Sequence, residues 1–190
     1  MGAVDDATTA LSEAGHPVPS SSAHVPAAPG LYAVHASAST WRTLGLGEPP
    51  DNRPLYVGKA EHSLSNRDVG THFTTGRTGQ STLRRSLAGL LATNLGLRAQ
   101  PRNPAAPGYF ASFGLEPAGD QQLTDWMLAH LRLAVWTAPQ GTFLSVVETA
   151  VLQRLLPPLN LDKVTTPWRH QVTAARAALA EQARHWRRAP

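Results

Sequence analysis

Two short apolar runs, Leu31–Val34 and Leu55–Val57, constrain this chain most. Each reads as a buried strand, and each carries a tyrosine-glycine pair. The first pair is Gly30-Leu31-Tyr32. The second is Tyr56-Val57-Gly58, with Lys59 directly after it. Two strands that offer a phenol at matched positions, with an ammonium just past one, describe an assembled site on a sheet. The spacing predicts strands over 30–36 and 54–58 that pair, with Pro54 suited to a strand start.

The rest of the chain sorts around them. Residues 1–28, rich in Ala, Ser, Pro and His, read as a flexible tail with one helical turn near 9–14. Residues 37–53, with Gly45, Gly47, Pro49 and Pro50, read as a long loop. Helices are predicted over 63–73, 81–95, from an Asp120 N-cap through Leu131, over 143–156 until Pro157-Pro158, and from Thr166-Pro167 to about 187. Further strands are predicted over 109–115 and 133–138. The fold class is α/β (α+β): a small central, mainly antiparallel sheet of three to four strands flanked by helices.

At 190 residues, one domain with tails is the expectation. The chain has no cysteine, which excludes disulfides and thiolate metal sites. No apolar run is long enough for a membrane span, and the N-terminal segment, with Asp5, Asp6 and Glu13, does not read as a signal peptide. The cytoplasm is the expected location. Lys and Arg number 17 against 13 acids, and the excess is local. Residues 163–190 hold Lys163, Arg169, Arg176, Arg184, Arg187 and Arg188 against Glu181. A basic helical end of this kind suits a polyanion.

The series Gly30-Leu31-Tyr32, Tyr56-Val57-Gly58-Lys59, Arg67, His72, Glu148 and Asn160 resembles the GIY-YIG nuclease superfamily in order. It covers residues 29–162, with an insertion at about 76–130 and a basic C-terminal helix over 163–190. The tyrosines are farther apart than in compact members, which loosely resembles the restriction-endonuclease branch. Arg67 and His72 are five apart where one helical turn is usual, so His62 is a rival to His72.

What the resemblance implies is a metal-dependent DNA endonuclease. Glu148 would be the ligand for Mg²⁺ (or Mn²⁺), a hard cation that takes oxygen donors. Arg67 would clamp the scissile phosphate, since a guanidinium matches phosphate geometry. Lys59 would polarise a water or favour phenolate. Tyr32 would serve as general base with Tyr56 as its partner, although either phenol fits the role. His72 would bond the phosphate or the attacking water. Gly30, Gly58 and Asn160 would support the site. His62, Arg77, Arg84, Arg85, Arg169 and Arg176 are candidate nucleic-acid contacts. The partner would be nucleic acid, most readily DNA, with no membrane and with a homodimer open. Alternatives are a non-cleaving nucleic-acid-binding module on the same fold, and a nuclease acting on RNA or single-stranded DNA.

Overall fold

The computed structural model describes residues 2–18, 25–65 and 69–187. In chain order the elements are α1 (Ala3–Leu11), β1 (His16–Pro17), β2 (Gly30–Ala36), α2 (Ala38–Thr43), β3 (Tyr56–Ala60), α3 (Val69–Phe73) and α4 (Thr82–Leu91). Then follow β4 (Ala99–Gln100), β5 (Gly114–Leu115), α5 (Pro117–His130), β6 (Leu131–Thr137), α6 (Leu144–Leu155) and α7 (Arg169–His185). The fold is α+β. Its main sheet has the order β1-β6-β2-β3, and every pair is antiparallel. β4 and β5 form a separate short ladder.

Side-chain alternation along the strands divides the core into two layers. Tyr32 and Val34 face one layer, which holds Leu83, Leu87 and Leu91 of α4, Leu123 and Met127 of α5, and Val172 and Leu179 of α7. Leu31, Ala33 and Val57 face the other, against Ala7 and Leu11 of α1 and Val147 and Val151 of α6. The basic C-terminal helix is therefore part of the core. Trp168 Nε1 donates to Leu46 O at 2.8 Å, and Gln182 Oε1 accepts from Ala99 N at 2.6 Å.

Several segments depart from the sequence expectation. The N-terminal segment is not a free tail over its described part. Ala7 and Leu11 of α1 are fully buried, and Asp5 pairs with Arg154 at 2.7 Å. Alanine is the strongest helix former, but its small side chain gives a faint amphipathic signal. The 37–53 spacer is not all loop. Ser37 caps α2 by accepting from Thr40 N at 3.2 Å, and Trp41 of α2 is fully buried. Gly45 and Gly47, at φ 70° and 80°, then turn the chain where a side chain would be strained.

The predicted strand over 109–115 shrinks to β5. Tyr109 is 94% exposed with a left-handed φ of 49°, so alternation there does not record a buried face. Asp120 is not a cap either. Helix α5 begins earlier with Pro117 at its first turn, which leaves Asp120 inside it and buried. Regular α7 starts at Arg169, past the expected Thr166-Pro167 opening, although Thr166 O still accepts from Arg169 N at 3.1 Å.

Candidate active site

The site is built on β3, which lies at the edge of the sheet. An edge strand presents unpaired N–H and C=O groups. Asn160 covers one such pair: its Oδ1 accepts from Val57 N at 2.9 Å and its Nδ2 donates to Val57 O at 2.8 Å. This side chain substitutes for a neighbouring strand at one residue and holds the Tyr56-Val57-Gly58 segment in place.

Register then brings the phenols together. Tyr32 lies opposite Gly58, and Tyr56 lies opposite Val34. The Tyr32 ring crosses directly over Gly58, where an added Cβ would collide with the ring and its hydroxyl. A Cβ at Gly30 would likewise collide with the Trp136 carbonyl of β6. Both motif glycines are therefore dictated by close approach rather than by backbone angle. The tyrosine ring centroids are 6.3 Å apart, and the His72 ring on α3 is 5.6 Å from each.

Tyr32 Oη is 2.5 Å from His72 Nε2, and His72 Nδ1 is 2.6 Å from Ser81 Oγ. Ser81 also caps α4, accepting from Arg84 N at 3.0 Å. Counting protons assigns the tautomer. Ser81 is fully buried, and His72 Nδ1 is the acceptor within reach of its hydroxyl proton among the described residues. A buried hydroxyl proton without an acceptor costs about 1–3 kcal/mol. Ser81 therefore donates to Nδ1, and Nε2–H donates to the Tyr32 oxygen. Burial, and then the Arg84 charge, push His72 down to about 4, so the ring is neutral near pH 7. His72 was expected to reach the phosphate or the attacking water. It instead has both nitrogens engaged by Tyr32 and Ser81.

Tyr56 is only half-buried at its surface, whereas Tyr32 is 2% exposed. Burial of the phenol, followed by the Glu148 charge, pushes Tyr56 up to about 12 despite an opposing hydrogen bond from Tyr32. Tyr56 thus holds its proton at neutral pH.

The charged groups sit around the β3 edge. Lys59 donates to Ser145 Oγ on α6 at 3.1 Å and pairs with Glu61 at 2.7 Å. The Glu61 hydrogen bond raises Lys59, and Glu148 adds to the effect. Glu148 on α6 has a side chain only 14% exposed, and its Oε2 pairs with Lys163 Nζ at 2.7 Å. Among the described residues, no group of three or more His, Cys, Asp or Glu could hold a metal. One carboxylate fits a hydrated Mg²⁺, which keeps several waters and shares phosphate oxygens. It does not fit a metal held wholly by protein. Lys163 would have to yield that oxygen.

The remaining sequence candidates divide. Arg67 lies outside the described residues. His62 is exposed, and Arg77 is exposed and bonds Gln80 at 2.9 Å. Arg84 is no nucleic-acid contact. It is fully buried and pairs with Asp120 at 2.5 Å, because the helical stripe of α4 turns it inward. Arg169 donates to the carbonyls of Leu161 and Val164. Arg85 and Arg176 are half-buried on facing helices. Sequence reasoning missed Ser81, Asp120, Ser145 and Lys163. Of these, Ser81, directly before the periodic leucines, carried the signal of an N-cap, and Asp120 carried a cap signal that the fold does not use.

A four-stranded antiparallel sheet with helices on both faces defines a small α+β domain that gathers two phenols and a carboxylate at one sheet edge. The family model of the GIY-YIG catalytic domain matches residues 39–181. The chain belongs to that family, a family of nucleases. The match starts after the strand that carries Tyr32 and runs into α7. No curated protein and no solved structure matches the chain. No helix among the described residues is long and apolar enough to cross a membrane.

Proposed function

We propose that the protein is a divalent-metal-dependent endonuclease that hydrolyses DNA phosphodiesters. The observation that carries this reading is the buried Tyr32–His72–Ser81 chain, closed against Tyr56 at the same sheet edge as Glu148 and Lys59.

A free phenol is a poor base at neutral pH, since its pKa is about 10. A donor aimed at its oxygen favours the phenolate. Nε2–H of His72 is such a donor, fixed by Ser81. Tyr32 is therefore assigned as the general base, with Tyr56, which keeps its proton, as its partner. Tyr56 is the more exposed of the two and shares a hydrogen bond with Tyr32. A proton taken from water passes to Tyr32 directly or by way of the Tyr56 hydroxyl. The water oxygen bonds to phosphorus, the bond to the 3′ oxygen breaks, and that oxygen takes a proton from solvent and leaves as the hydroxyl, while the tyrosine returns its proton to solvent. The products carry 5′-phosphate and 3′-hydroxyl ends. Lys59 neutralises phosphoryl charge at the end of β3, and Arg67 is assigned the scissile phosphate. Glu148 would hold the metal, which supplies Lewis-acid stabilisation of phosphoryl and leaving-group charge.

Digestion with Mg²⁺ of duplex DNA, single-stranded DNA and RNA tests the proposal, using wild type, Glu148→Ala and Tyr32→Phe. The wild type is expected to cut duplex DNA. Each variant is expected to lose about 100-fold or more in rate, the size of a lost proton-transfer or charge-stabilising group. Equal cutting by wild type and Glu148→Ala would remove the metal assignment. Salt-dependent binding without cleavage would favour the non-catalytic binding module.

A further inference from the structure

Beyond the tyrosine cluster, positive charge collects where three arginines share a cleft with one carboxylate among the described residues. On α4, a Cβ at Gly89 would lie 2.8 Å from the backbone of Ala175 on α7. The two helices therefore meet backbone to backbone. That approach sets Arg85, one turn before Gly89, beside Arg176, the neighbour of Ala175. Both line a cleft of about 460 Å³ together with Thr82, Asp162, Arg169 and Thr173.

The two guanidinia are under-neutralised. Among the described residues neither makes an ion pair. Arg85 donates to Gly79 O at 2.9 Å, but its Nε is buried with no hydrogen-bond partner among the described residues. Burial, then the Arg176 charge, then Arg102, push Arg85 down to about 10. Asp162 attracts Arg176, and it is the one acid on this wall against three arginines. Arg169 is already committed to the Leu161 and Val164 carbonyls. Two like charges pressed together in a half-buried cleft are stable when an anion lies between them. A guanidinium pair matches the geometry of phosphate oxygens.

The cleft adjoins the candidate active site. Tyr56 feels Glu148 from one direction, and Arg85, Asp162 and Arg176 from the cleft. We propose that the Arg85–Arg176 cleft is a second phosphate subsite, which holds a backbone phosphate flanking the scissile one. The inference rests on the reading of the protein as a nuclease. It gives α7 a role beyond packing, because the helix brings half of the subsite.

The test is equilibrium binding of a short fluorescein-labelled DNA duplex, followed by anisotropy in EDTA over a KCl series. Wild type, Arg85→Gln, Arg176→Gln, Arg176→Lys and the remote Arg42→Gln are compared. Arg85→Gln and Arg176→Gln are each expected to weaken binding roughly tenfold, and to reduce the log–log salt slope by about 0.9, the value for one lost phosphate contact. Arg176→Lys keeps the charge and is expected to keep the slope, even if the Gln form proves too unstable to assay. Arg42→Gln should match wild type in both. Unchanged slopes for Arg85→Gln and Arg176→Gln would overturn the subsite, as would a wild type that does not bind the duplex. The nuclease reading is judged separately, by Mg²⁺-dependent cutting of the same duplex.

Discussion

Replacing Arg84 by Met tests the assignment of this arginine to the interior. Arg84 Nε donates to Thr78 Oγ1 at 3.0 Å, and one terminal nitrogen donates to His72 O at 3.1 Å. The other donates to Asp120 Oδ1 at 2.5 Å, to Asp120 O at 3.0 Å and to Thr124 Oγ1 at 3.0 Å. Met fills similar volume but leaves the buried Asp120 carboxylate without its cation. Breaking one side of a buried pair costs about 3–5 kcal/mol. Asp120 Oδ1 keeps the Thr78 hydroxyl at 2.5 Å, which points to the lower end of that range. At about 2–4 °C per kcal/mol for a domain of this size, melting should fall by roughly 6–20 °C. Circular dichroism melts of Arg84→Met, Asp120→Ala and the double variant complete the cycle. The double variant should cost less than the sum of the singles by about 2–3 kcal/mol, the coupling of a contacting pair. Below its melting point, Arg84→Met should bind DNA with the wild-type salt slope. A melting point within about 1 °C of wild type, or a slope reduced by about 0.9, would refute the burial argument and return Arg84 to the surface.

Two further outcomes follow from the site. Folded His72 sits near 4, below its ordinary 6.5, so between those values the unfolded chain binds the extra proton and the folded chain does not. Stability is therefore full above about pH 6.5 and falls by about 3 kcal/mol as pH drops toward 4; urea titrations of wild type and His72→Gln should show this slope in wild type and lose most of it in the variant. Asn160→Ala removes both hydrogen bonds to Val57 and leaves an unpaired strand edge, at a cost of about 2–3 kcal/mol. Hydrogen exchange should show the Val57 amide losing protection before that of Leu31, and equal protection in wild type and variant would show that the β3 edge does not depend on Asn160.

Much of the site was legible because its signals are local. Strand β2 and helix α6 sit close to where apolar runs, alternation and Pro157-Pro158 placed them. Glu148 stands out as a lone carboxylate among valines on a strong helix. The motif glycines were legible as motif members, but their reason was not: Gly58 is required because the Tyr32 ring crosses it from the neighbouring strand. Helix α2, helix α1 and the true start of α5 were missed where the local pattern was short, alanine-rich or overshadowed by a better-looking cap at Asp120.

The amino-acid order alone determines that two tyrosine strands pair, that a glutamate helix follows, and that the chain is basic at its end. Those properties depend on neighbours in sequence, through hydrophobic period, turn residues and charge count. Only the tertiary structure decides which charged and polar groups face one another across long separations. It buries Arg84 on Asp120 and aims the neighbouring Arg85 into a cleft, since consecutive helix positions point about 100° apart. It also engages both ring nitrogens of His72, one with Tyr32 and one with Ser81, across separations that no local pattern records. Burial and hydrogen-bond accounting set those roles, and both are properties of packing rather than of composition.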